Sequence, residues 1–432
     1  MKYIVSNNTL SSIVKVAEQI KKPESKVVLV LGGGDAGENV LCQLRLTTDA
    51  EQATYNFTAK KPEDWDGSAI ITPVDASNFC TVIKSILTFN EDVYIEVEGT
   101  ILEVGILGKV KTSLPIESQV PEEIKPLTFF YRFEISGGEL LNLLNKGCAF
   151  TEESVDTKGL HNAVLKLMPE TDEIKACSTD GHIVGCTKVK VNFTKAADDD
   201  EKKKAMVENM DKAVTEYCTQ HTEQDKNNYN VIIPREAVMH LARFAEGQQK
   251  LIVYVDQRFV WVQIGGKTMM YTIKQAGSTV TTVDSVYNII FQEENAKFCA
   301  DSQALRNAIS FINTNNAISG KDKHPTKLLI KEGEVLVAKS GLEDKIESSI
   351  KASDIKGEQF VAFNGKILEG ALSALNKGNV VMYAGTKHIA LFNGTIDNVD
   401  LNSFVFIFQI NIAKVEEEAE ASEGDGAEES AE

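Results

Sequence analysis

The chain has 432 residues, 43% hydrophobic and 25% charged, with 45 basic against 63 acidic side chains and a formal net charge of −18. That length calls for two or three domains and the composition for an ordinary globular protein. No apolar run approaches the roughly 18 residues of a membrane span, the opening MKYIVSNNTLSS lacks a secretory pattern, and the acidic balance argues against a simple coat for nucleic acid. The cytoplasm is the expected compartment.

The first element, KYIVSNNTLSSIVKVAEQIKK, reads as a strand, a turn and a helix striped by Leu10, Ile13, Val14, Ala17 and Ile20. KVVLVLGGGDAGENV follows, and its Gly32, Gly34 and Gly37 have the G-x-G-x-x-G spacing of a dinucleotide phosphate loop. Such a loop needs a helix next. What comes next, NVLCQLRL, alternates apolar with polar at a period of two, so the glycines predict the positive-φ residues of a strand–turn–strand connection.

The opening pattern then recurs. Phe79, Val82, Ile83, Ile86 and Leu87 stripe a second helix, followed at once by the alternating strand VYIEVEG. Leu140, Leu141, Leu143 and Leu144 mark a third helix, and Val238, Leu241, Ala242 and Ala245 a fourth. Leu305, Ala308, Ile309 and Ile312 mark the fifth; Ile367, Leu368, Ala371, Leu372 and Leu375 mark the sixth. Six copies pair into three domains of one plan, 1–121, 122–280 and 281–415, an α+β fold with two helices per domain packed on antiparallel sheets. A charged insertion at about 194–229 interrupts the middle domain. The segment 416–432, with nine acids and no base, carries half the net charge, cannot bury a core and is expected to be disordered.

Seven cysteines, odd in number and without a C-x-x-C, predict neither a disulfide framework nor a zinc site; most of them sit in apolar runs and read as small buried hydrophobes. No paired carboxylates, metal cluster or nucleophile–base pair stands out. The chain is read as a non-enzyme with no cofactor.

Three segments resemble one family. ACSTDGHIVG (176–185) resembles an A-T-D-G-H-R-L-A block, VIIPREAVMHLARF (231–244) a V-I-V-P-R-K passage from strand into helix, and FVAFNGKILEGALSAL (360–375) a G-F-N-x-x-Y-L-L-D-x-L-x-x-L helix. Their order and separations match the bacterial DNA polymerase beta subunit, the sliding clamp, over residues 1 to about 413. Two departures, with the long insertion, leave open a divergent or viral member: the chain continues past the family's terminal Met-Arg-Leu-like residues, and DSVYNIIFQ lacks the usual Pro and Arg.

The resemblance implies a head-to-tail homodimer ring around double-stranded DNA, with helices lining the hole. Lys15, Lys21, Lys22, Lys84, Lys146, Arg243, Arg306, Lys366 and Lys377 would then face DNA, without reading bases. It also implies a hydrophobic groove for peptides of DNA polymerase, the clamp loader and repair proteins, mapped onto Leu160, Thr179, Gly181, His182, Val184, Val405 and Ile407. By analogy the dimer contact would join the TILEVGIL region to the fifth helix near Leu305 and Ile309. Two other classes stay open at this point: a repeat-domain scaffold for basic proteins, and a nucleotide-dependent oxidoreductase built on Gly32–Gly37.

Overall fold

The computed structural model describes residues 1–124, 131–151, 160–194, 229–256, 258–266, 268–276, 296–318, 325–331, 333–339, 346–375 and 378–408. Most of the charged insertion and all of the acidic tail lie outside them.

Strand β1 (Lys2–Val5) leads into helix α1 (Asn7–Ile20), then β2 (Lys26–Ala36), β3 (Asn39–Thr47), β4 (Glu51–Lys60) and β5 (Ile70–Asp75). Helix α2 (Ala76–Leu87) precedes β6 (Val93–Glu98), β7 (Ile101–Ile106) and β8 (Val110–Pro115). The cycle restarts at β9 (Tyr131–Ile135) and α3 (Gly137–Asn142), with β10 (Asn162–Met168), β11 (Glu173–Thr179), β12 (Ile183–Lys190) and β13 (Asn192–Phe193). Then come β14 (Tyr229–Pro234), α4 (Arg235–Ala245), β15 (Leu251–Val255), β16 (Phe259–Ile264) and β17 (Met269–Lys274). A third round holds β18 (Ala296–Asp301), α5 (Ser302–Ile318), β19 (Thr326–Lys331), β20 (Glu334–Lys339), β21 (Glu347–Ile350) and β22 (Ala352–Lys356). It closes with β23 (Gln359–Phe363), α6 (Gly365–Ala374), β24 (Asn379–Ala384), β25 (His388–Thr395) and β26 (Asn398–Phe408).

Each helix follows a strand directly, and a short polar side chain usually makes the switch. Ser6, Asp75, Asp301 and Asn364 accept from the N–H groups of Thr9, Asn78, Ala304 and Lys366, and Ser136 and Glu139 form a reciprocal capping box. Pro234 occupies the same place before α4 without a side-chain bond. The expected stripes face inward: Leu10, Ile13, Val14, Ala17 and Ile20 of α1, and Leu305, Ala308, Ile309 and Ile312 of α5, are all buried. The third helix departs from expectation. It is α-helical only to Asn142 and widens into a π turn over Leu143–Gly147, where a Cβ on Gly147 would lie 2.5 Å from the Cβ of Ala176.

The glycine cluster is a hairpin. β2 and β3 pair antiparallel from Lys26↔Thr47 to Ala36↔Asn39, with Gly37 at φ 78° in the turn and Gly32 at φ 71° beside a register shift. A Cβ at Gly32 would meet Trp65 Nε1 at 2.6 Å. No helix follows, so the phosphate-loop reading is overturned.

Two compact units make up the chain. The first comprises Met1–Leu141, Leu167–Glu173 and Lys190–Gly277. Its sheet runs β13-β9-β15-β16-β17-β4-β1-β6-β7-β8, with β2, β3 and β5 branching from β4. The second comprises Asn142–Lys166, Ile174–Val189 and Ser278–Glu432. It holds the order β10-β11-β12-β26-β25-β24-β18-β22 and a separate four-stranded sheet, β21-β20-β19-β23. The core of the second unit lies between these sheets and α5 and α6, and includes Phe298, Ile309, Leu328, Phe363 and Leu368.

Candidate functional site

The helix cations fall into three groups. Glu18 of α1 receives Lys21 Nζ at 2.6 Å and Lys84 Nζ of α2 at 2.8 Å, so one carboxylate holds two of the expected DNA-facing lysines. Burial works upward on the Glu18 carboxyl, but the hydrogen bonds from Lys21 and Lys84 outweigh it and hold the group below its ordinary value. Lys22 pairs with Glu236 of α4, and Arg306 of α5 lies 3.9 Å from Glu369 of α6. Lys15, Arg243 and Lys366 are exposed and carry no ion pair among the described residues. Lys146 must be corrected: it sits in the π turn, 7% exposed, where burial lowers its pKa against the opposing pull of Asp400. Its side chain is withdrawn from the surface. Lys377 lies outside the described residues.

The expected groove residues converge on the β11–β12 hairpin and its neighbour β26. Gly181, at φ 92°, donates its N–H to Thr179 Oγ1 at 3.0 Å, while Asp180 Oδ1 accepts from His182 N at 2.8 Å and Ile183 N at 2.9 Å. This network makes a tight turn that leaves Gly181 and His182 exposed. Leu160 is half-buried, its Cδ1 3.6 Å from where a Gly181 Cβ would stand. β12 pairs with β26 at Ile183↔Ile407, Val184↔Phe406 and Gly185↔Val405, and Phe408 N donates to His182 O at 3.1 Å.

Several assignments change in accessibility. Val405 and Ile407 are each 1% exposed and belong to the core with Leu368 and Leu372; Thr179 and Val184 are buried as well. The cause is strand alternation: β26 sends Val405 and Ile407 to one face and Phe404, Phe406 and Phe408 to the other. Phe408, which sequence reasoning missed, is 42% exposed beside His182 and packs edge-on against Phe406 at 5.0 Å. The signal was present as the alternation in FVFIF, but it does not say which face is wet.

Leu305 and Ile309 are fully buried and cannot form an intermolecular contact as assigned; among the described residues of α5 the large apolar side chain that is exposed is Phe311. The TILEVGIL segment is likewise interior to its sheet, because β7 pairs with β6 on one side and β8 on the other. β8 is the outer strand there, and β21 is the outer strand of the four-stranded sheet.

His240 was also passed over. Its Nδ1 lies 2.8 Å from Oε2 of the buried Glu51, tying α4 to β4 across 189 residues of sequence, a separation at which no local pattern reports contact. Burial, with Glu51 acting in the same sense, pushes the Tyr271 phenol well above its ordinary value.

No protein-family model matches the chain, and no curated protein matches it significantly. Solved structures do. A DNA polymerase sliding clamp from Bacillus subtilis superposes with a TM-score of 0.74 at 15% identity, covering 95% of this chain and 99% of that one. The sliding clamp from Pseudomonas aeruginosa gives 0.72 at 17% identity, again with 95% and 99% coverage. The Helicobacter pylori beta clamp bound to a DNA ligase peptide gives 0.71 at 13%, covering 95% and 100%. The chain therefore has the sliding-clamp fold over nearly its whole length.

Proposed function

We propose that this protein is a sliding clamp: two copies close head to tail around duplex DNA and tether replication or repair proteins through short peptides. Each copy would contribute three domains with the boundaries read from the repeats. The observation carrying this reading is a recurring strand joint. β4, the last strand of the first repeat, pairs with β17, the last strand of the fourth, at Met269↔Tyr55 to Ile273↔Glu51. β12, from the third repeat, pairs in the same way with β26, the last strand of the sixth. The repeat then leaves β21 of the fifth and β8 of the second as equivalent strands, each at the end of its sheet among the described residues. Pairing β8 of one copy with β21 of another would complete the series, remove both edges and close a ring rather than extend a filament.

DNA would be held by enclosure. Lys21, Lys22, Lys84 and Arg306 are already engaged by acids, leaving Lys15, Arg243 and Lys366, which carry no ion pair among the described residues, to meet phosphates. Few phosphate contacts give weak, sequence-independent attraction that permits sliding. The peptide groove is proposed around Leu160, Gly181, His182 and Phe408, with Thr179, Val184, Val405 and Ile407 as its buried support. A cluster of this kind, a few apolar groups beside an imidazole, suits peptide anchors. The peptide-bound Helicobacter pylori clamp is consistent with that use.

The test is retention on DNA. Loaded by a clamp loader or by passive ring opening, the protein is expected to stay on nicked circular DNA and leave once the circle is cut. Equal retention on circular and linear DNA would overturn the reading and favour a scaffold.

A further inference from the structure

The hairpin strands β11 and β12 bring two thiols together. Cys177 Sγ and Cys186 Sγ are 3.0 Å apart, both buried, in an apolar cluster with Val184, Phe404 and Phe406. A third thiol, Cys148, is buried beside them, since Gly147 packs directly on Ala176, and burial raises its pKa strongly. The segment bearing Cys148 is fastened to β11, since Phe150 N donates to Ser178 Oγ at 2.9 Å. Three thiols thus occupy one dry region behind the turn that presents Gly181 and His182.

We propose that Cys177 and Cys186 are an oxidation site that forms a reversible cross-strand disulfide with a small hydroperoxide, hydrogen peroxide being the simplest. Disulfide geometry requires the sulfurs to close from their present contact by about 1 Å, to roughly 2.05 Å, between strands already held side by side. Cys177, at 6% exposure against 1% for Cys186, is the thiol a small oxidant reaches first. Its thiolate attacks one peroxide oxygen, the O–O bond breaks, and a sulfenic acid forms while the departing hydroxide takes the thiol proton as water. The Cys186 thiolate then attacks the sulfenic sulfur; the S–S bond forms, the S–O bond breaks, and hydroxide leaves with the second thiol proton as another water. Two thiols lose two electrons and one peroxide becomes two waters. Burial of both sulfurs among apolar side chains excludes bulky disulfide reagents, so the reaction is selective for small oxidants.

The closed loop contains the whole turn from Thr179 to His182. Oxidation therefore ties the hairpin against opening and slows hydrogen exchange at Gly181 N and His182 N, the amides bonded to Thr179 Oγ1 and Asp180 Oδ1.

The experiment treats the native full-length protein with excess hydrogen peroxide, quenches, unfolds, alkylates residual thiols and maps peptides by mass. The expected product has lost two hydrogens, yields a Cys177–Cys186 linked peptide and reverts with dithiothreitol. Its melting temperature is expected to rise by a few degrees relative to the reduced form, a rise absent from Cys177→Ala. Should that variant fail to fold, Cys186→Ala gives the same comparison, and the linkage in the unaltered chain is diagnostic by itself. Complete alkylation of all thiols after peroxide, oxidation that stops at sulfinic acid, or a bridge from Cys148 would each overturn the proposal. None of these readouts involves DNA or a partner peptide, so the outcome is independent of the clamp reading.

Discussion

Glu18 shows how a single side chain sets the electrostatics of a surface. It sits between Lys21 and Lys84, and its carboxyl is held below the ordinary value of 4.5 because both ammonium groups donate to it. A depressed folded-state pKa means that the stabilisation is present above the unfolded value and is lost as pH falls through the folded one. Glu18→Gln is therefore expected to cost less than about 1 kcal/mol at pH 7, the scale of a partly exposed pair, with the difference vanishing in acid. Denaturant melts of both proteins at neutral pH and in acid check this. The same variant frees two lysines, so its DNA binding should fall more steeply with salt. Lys146 carries the opposite lesson. The sequence places a lysine at the end of a helix but cannot show that the chain there widens into a π turn and draws the side chain inward.

At the level of elements, periodicity was a reliable guide to which helix face is dry, because a face apolar at i, i+3, i+4 and i+7 has nowhere to go but a sheet. It was a poor guide to what a dry residue touches. Leu305 and Ile309 match the stripe and are core; an interface needed exposed residues, which the stripe by construction omits. Ile309→Ala is expected to destabilise by about 2–5 kcal/mol in denaturant unfolding, while Phe311→Ser, on the exposed face, should leave stability nearly unchanged. Strand alternation makes a parallel case in β26. Phe408→Ala should weaken binding of a fluorescent clamp-binding peptide without a stability loss, and Val405→Ala should do the reverse, measured by fluorescence anisotropy and melting. Equal effects of the two on peptide affinity would place the anchor elsewhere.

For the whole molecule, the repeated joint makes a geometric demand: β8 and β21 must find partners or remain open edges. Successive residues of an antiparallel strand direct their N–H groups to opposite sides, so one of Thr112 and Ser113 in β8 points its N–H outward. Of Thr112→Pro and Ser113→Pro, the one that removes the outward donor is expected to lower the mass in sedimentation from near twice 47.4 kDa to near that value, with loss of retention on circular DNA. Dimer mass unchanged in both variants would exclude β8 as the closing edge. The six-copy pattern and the helix stripes were legible in the amino-acid sequence alone, because each is a local rule of period repeated along the chain, and the family likeness was legible in three short motifs; the β2–β3 pairing decided the glycine cluster. Only the tertiary structure decided that Val405, Ile407, Leu305, Ile309 and Lys146 are inside, that Phe408 meets His182, that Glu18 holds two lysines, and that Cys177 touches Cys186. Those are matters of which strand lies beside which and which face is covered, and such contacts between distant segments leave no periodic trace in the order of residues.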